Sequence, residues 1–182
     1  MRNRLLRVSM VAALALGMTA IVEAPSGAAA PAQKCTHVSG SATLTPGIGP
    51  TAKPQTVKAT GKLSGCTPSA GKTGGSGTLG ATLKIAKGSC ATLAGGGQKF
   101  KGTAKTVWKN GKTSTYALSF ATGKGSLAKV ETATITGTVS AGLFKGHKVT
   151  GAIKFAIKSG QNCTTKPVKN LTFTQTKPFQ IA

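Results

Sequence analysis

Lys99-Phe100-Lys101-Gly102-Thr103-Ala104-Lys105-Thr106-Val107-Trp108, then Lys109-Asn110-Gly111, then Lys112-Thr113-Ser114-Thr115-Tyr116-Ala117-Leu118-Ser119-Phe120 is the stretch that decides the fold class. Two alternating runs flank an Asn-Gly pair, a hairpin signal because such residues accept the positive φ that tight turns need. A two-residue turn would pair Lys109 with Lys112, and Phe100, Ala104 and Trp108 would then share a face with Thr113, Thr115 and Ser119. A three-residue turn pairs Trp108 with Lys112 and puts the same three residues with Tyr116, Leu118 and Phe120. A one-residue slip turns every side chain to the other face, so burial selects the register. The three-residue turn gathers the apolar side chains, with Gly111 in the left-handed position of a bulge. Lys99, Lys101, Lys105 and Lys109 then point outward, while the chain's one Trp and one Tyr point inward.

The same alternation recurs along the chain. Strands are expected over Thr36–Thr45, Thr56–Ser64, Thr78–Lys87, Ala133–Ser140, Lys148–Lys158 and Val168–Thr176, besides the two hairpin arms. Val57, Ala59, Gly61 and Leu63 face inward on one of them; Leu79, Ala81, Leu83 and Ile85 on the next; Val149, Gly151, Ile153, Phe155 and Ile157 on a later one. Pro46-Gly47-Ile48-Gly49-Pro50 reads as a break, Cys90–Gly97 as a loop, and Pro178 as the end of the last strand. No window has helical periodicity. About eight short strands joined by Gly/Pro turns predict an all-β domain, an antiparallel β-sandwich of immunoglobulin-like type or a barrel.

Residues 1–29 read as a secretory signal peptide. Arg2, Arg4 and Arg7 precede an apolar run from Val8 to about Val22, and a small-residue patch follows before Pro31. Residues 30–182 then form a single exported domain without a transmembrane segment. Cleavage removes every Arg and Glu23, leaving 21 Lys and one acid, Glu131, for a formal charge of +20. Four cysteines in an exported chain imply two disulfides, and their spacing matches no zinc site. If the first two strands form a hairpin, Cys35 and Cys66 meet at its outer end; Cys90 and Cys163 follow by elimination.

Gly61-Lys62-Leu63-Ser64-Gly65-Cys66, Ser89-Cys90, Trp108 before its Gly turn, Gly142-Leu143-Phe144-Lys145-Gly146 and Cys163 together give a layout that resembles a group of small exported actinobacterial β-proteins with no assigned activity. The resemblance implies a disulfide-stapled extracellular β-domain and carries over no active site.

Absences argue against catalysis. Without aspartate, and with one glutamate, the exported domain has no carboxylate pair for glycoside hydrolysis and few ligands for calcium or magnesium. A Ser-His pair oriented by Glu131 has no G-x-S-x-G elbow to support it. His37 and His147 read as surface residues. We therefore expect a non-enzyme without metal or cofactor, acting as a binding or structural module at the cell envelope or outside the cell. The alternative rests on lysine rows. Lys99, Lys101, Lys105, Lys109, Lys148, Lys154 and Lys158 face outward and would attract a polyanion such as nucleic acid, an anionic wall polymer or acidic lipid. Lysine gives little base specificity, since it lacks the planar fork of arginine. The plainer reading is that lysine keeps the domain soluble and guards edge strands from pairing.

Overall fold

A computed structural model describes residues 31–68, 74–123, 131–161, 163 and 165–182. The expected leader, residues 1–29, lies outside them. Eight antiparallel strands follow in order: β1 (Gln33–Ile48), β2 (Lys53–Pro68), β3 (Gly77–Gly88), β4 (Lys99–Trp108), β5 (Thr113–Thr122), β6 (Glu131–Gly142), β7 (Lys148–Ile157) and β8 (Val168–Ile181). Each pairs with the next, and β8 returns to β1, so the sheet closes into a barrel. Closure resolves the sandwich-or-barrel alternative. It also removes every edge, so the lysines have no edge strands to guard.

The alternation of the sequence becomes the inside and outside of this wall. Inward Leu44, Leu63, Trp108, Tyr116, Val139 and Val149 are almost wholly buried, while outward positions carry mostly Thr, Ser and Lys. Lipid-spanning barrels need the reverse arrangement. The β4–β5 hairpin has the three-residue turn. Trp108 N–H donates to Lys112 O at 2.9 Å, Gly111 N–H donates to Trp108 O at 2.9 Å, and Gly111 has φ 77°. Phe100 faces Phe120, and Ala104 faces Tyr116.

Three elements depart from the sequence reading. β1 continues through Pro46 to Ile48 because a side chain replaces a backbone partner: Gln55 Oε1 accepts from Gly47 N–H at 2.8 Å, and Gln55 Nε2 donates to Gly47 O at 3.0 Å. β8 continues through Pro178 because its ladders to β7 and to β1 both slip nearby, and a bulge tolerates a residue without an N–H. Its last residues matter, since Phe179 and Ile181 are buried against β1 and β7. Finally, the expected loop after Ser89 contains a one-turn helix, α1 (Cys90–Ala94). Ser89 and Thr92 cap it reciprocally: Thr92 N–H donates to Ser89 Oγ at 3.1 Å, and Ser89 N–H donates to Thr92 Oγ1 at 2.8 Å. Five residues are too few for helical periodicity to register.

Cys35–Cys66 and Cys90–Cys163 are the disulfides. Cys35 and Cys66 are already direct cross-strand partners of β1 and β2. Cys90–Cys163 does something else. It joins the β3–β4 connection to the β7–β8 connection, which lie on opposite sides of an eight-stranded ring, so it straps one mouth of the barrel.

Candidate functional site: an apolar cavity inside the barrel

Inward positions of a small barrel must fill its interior, and this chain fills them unevenly. Several are minimal in size: Ala59 and Gly61 on β2, Ala81 on β3, Gly102 on β4, Ala133 and Gly137 on β6, Gly151 on β7. Some of these let large neighbours in. A Cβ at Gly40 would collide with Thr60 O and the Phe173 ring, so the ring lies over the Gly40–Gly61 pair. Elsewhere the missing side chains leave space. A cavity of about 140 Å³ runs through the barrel, walled by residues of all eight strands, among them Leu44, Val57, Leu83, Phe100, Leu118, Ile135, Phe155 and Phe173. Tyr116, Thr122, Gln175 and Lys177 are the lining residues with polar side chains, almost no polar atom faces the space, and Lys177 is the one charged residue of the lining.

Among the described residues, different groups cover the two ends of the barrel. At the end holding the β4–β5 turn, side chains form a plug. Trp108, 2 % exposed, meets Phe144 edge-on with ring centroids 5.9 Å apart. Its Nε1–H donates to Ser114 Oγ at 2.8 Å, and Ser114 Oγ–H donates to Leu143 O at 2.6 Å. Phe144 reaches the plug from the β6–β7 connection with φ 66°, a conformation costing on the order of 1–2 kcal/mol for a residue with a Cβ. Burying its ring offsets that. At the opposite end the Cys90–Cys163 strap packs on the apolar cluster of Ile48, Ile85 and Val168. Cys90 N–H also donates to Gly49 O at 2.9 Å, tying α1 to the β1–β2 connection.

Tyr116 is fully buried between plug and cavity, edge-on to Phe179 with centroids 5.9 Å apart. Burial pushes its phenol up to about 12. The Thr106 and Ser114 hydroxyls pull the other way, yet neither meets Tyr116 Oη in hydrogen-bonding geometry. The group is an uncharged part of the wall at ordinary pH.

The seven outward lysines of the sequence reading are all exposed but do not share one face. Lys99, Lys101 and Lys105 on β4, with Lys109 in the turn, join Lys58, Lys62 and Lys84 of β2 and β3. Lys84 stands directly opposite Lys101. Lys148 and Lys154 on β7, with Lys158 just after it, lie beyond β5 and β6, whose outward residues over Thr113–Ala121 and Thr132–Ser140 are Thr, Ser and Ala. The exposed lysines therefore fall in two groups, one over β2–β4 and one over β7–β8, with the uncharged arc of β5–β6 between β4 and β7. His37 is exposed with its Nδ1 3.0 Å from Thr36 Oγ1, and His147 stacks edge-on with Phe144. Glu131 begins β6, and its side chain lies outside the described ones. Among the described residues no three His, Cys, Asp or Glu gather as a metal site, and no helix is long and apolar enough to cross a membrane.

No protein-family model matches the chain, and neither does any curated protein or solved structure.

Proposed function

We propose that this is an exported, non-enzymatic binding protein that holds a small apolar ligand inside its barrel. The observation carrying this reading is the cavity: about 140 Å³ of unfilled space walled almost wholly by hydrocarbon. Native interiors are packed to crystal-like density, so a void this large forfeits dispersion contacts along its whole lining. A cavity of about 150 Å³ accepts benzene, and each methylene moved from water into such a site contributes about 0.8 kcal/mol. The scaffold suits the task. Closure, two disulfides and a capped strap fix the walls, so the site exists before the ligand arrives.

The test is calorimetric titration of fluorobenzene, a neutral apolar ligand of the size such a cavity accepts, into the purified protein and into Ala81→Phe and Ala133→Phe, which place rings in the cavity. We expect the protein to bind and both variants to lose at least tenfold in affinity with unchanged far-ultraviolet dichroism. No binding by the parent protein would sink the reading.

A second reading keeps the lysines as a polyanion-binding surface. Lys84 and Lys101 favour it, because like charges directly opposite one another on a sheet repel, and a bound polyanion would relieve that. Affinity would come from counterion release. Both readings place the protein at the cell envelope or outside the cell.

A further inference from the structure

One stretch of the wall is built unlike the rest. Around Gln175-Thr176-Lys177-Pro178 the β8 ladder slips on both sides. Its register with β7 shifts between Thr150 and Ala152 and again between Ala152 and Ile153, and its register with β1 shifts between Cys35 and Ser39. Gln175 Nε2 donates to Cys35 O at 3.1 Å, a side chain standing in where the backbone ladder is interrupted. Pro178 has no N–H to give. The β7 residues opposite are the small pair Gly151 and Ala152, and a Cβ on Gly151 would sit in ordinary contact with Pro178 and Phe179, so the slipped strands still pack together there. All of Gly151, Ala152, Gln175 and Lys177 line the cavity.

Lys177 therefore belongs to two environments. It is exposed to solvent, and it is the cavity's one charged lining residue. Lys177 is also the one exposed residue of that lining, so this doubly slipped part of the wall is where the interior meets solvent. The cavity walls offer a ligand hydrocarbon and little else, so the enclosed part of that ligand must be hydrocarbon too. A polar head has to remain outside, and here it meets an ammonium group in a domain with almost no acids.

We propose that the ligand is an anionic amphiphile, its alkyl tail in the barrel and its anionic head paired with Lys177 at the β7–β8 register shift. The proposal rests on the cavity reading above and adds the head group and the side on which it sits. Lysine suits it as a mobile, hydrated point charge that needs no fixed geometry.

Octanoate and 1-octanol separate tail from head, since they share a chain and differ in charge. Calorimetric titration would use the purified protein, Lys177→Glu, and Lys112→Glu, which changes the net charge equally in the turn at the plugged end. We expect octanoate to bind at least tenfold more tightly than 1-octanol. Lys177→Glu should abolish that preference while retaining 1-octanol, and Lys112→Glu should leave it within twofold. Equal binding of the two ligands by the parent protein overturns the head-group assignment and leaves the cavity reading standing. An equal loss of octanoate in both variants also overturns it, because the attraction would then belong to the net charge. Binding of neither ligand overturns both.

Discussion

Tyr116 exposes none of its surface, and its Oη finds no hydrogen-bond partner among the described residues. A buried hydroxyl left unpaired costs about 1–3 kcal/mol, so Tyr116→Phe should leave the protein as stable as before or more so at neutral pH. Alkaline pH adds a sharper test. The unfolded phenol ionises near 10 and the folded one near 12. Between those values the folded chain holds a proton that the unfolded chain has lost, so stability present below pH 10 falls as pH rises towards 12. The loss amounts to about 3 kcal/mol for a shift of this size. Tyr116 is the chain's single tyrosine, so near-ultraviolet phenolate absorbance reads it directly. A folded midpoint near 10, or the same alkaline slope in Tyr116→Phe, would contradict the burial argument. The inward placement of Trp108 and Tyr116 was legible in the sequence, since only one register gathers their apolar neighbours. Phe144 was not. It fills the plug from a connection, through a positive φ that sequence patterns assign to glycine.

Among the elements, the strap makes the clearest prediction. Cys35–Cys66 staples strands that are already paired, whereas Cys90–Cys163 joins opposite sides of a mouth. By the chain-entropy argument, opening its 73-residue separation removes about 4 kcal/mol, and opening the other, a separation of 31, removes nearly as much. The two should differ in ligand kinetics instead. Cys90→Ser with Cys163→Ser frees α1 from the mouth and should raise the ligand dissociation rate at least fivefold. Cys35→Ser with Cys66→Ser should leave that rate within twofold. Fluorine NMR exchange spectroscopy of bound fluorobenzene measures both. Equal rates would mean that the strap does not limit access. Strand existence and facing were readable from period-two alternation alone. Strand ends were not, because a side chain (Gln55) and a bulge (at Pro178) satisfied the backbone where Pro usually stops it. The short helix hid in a loop, although its Ser89-x-x-Thr92 cap was a usable signal.

For the whole molecule, alternation specifies two faces but not how far a sheet curls, so sandwich and barrel read alike until β8 pairs with β1. The cavity stayed hidden for a related reason. Inward Gly and Ala were visible, but whether small residues are compensated by large ones across the barrel depends on which strands face each other. Charge distribution is likewise a property of the closed wall: lysines that are scattered in sequence become an arc over β2–β4, divided from those of β7 by the uncharged β5–β6 surface. If that arc binds a polyanion, the position of a lysine should matter and not only the total charge. Lys62→Glu, Lys84→Glu and Lys101→Glu together, and Lys148→Glu, Lys154→Glu and Lys158→Glu together, change the net charge by the same amount. Affinity for duplex DNA, measured across a range of salt, separates the two sets. Each phosphate neutralised contributes about 0.9 to the slope of log affinity against log salt. The β2–β4 triple should therefore flatten the slope by about 2–3 and lose most of its low-salt binding, while the β7 triple should lose markedly less. Equal losses would reduce the attraction to the net charge acting at a distance, which salt screens within about 10 Å at moderate ionic strength. The lysines would then serve solubility, and the apolar interior would carry the binding function alone.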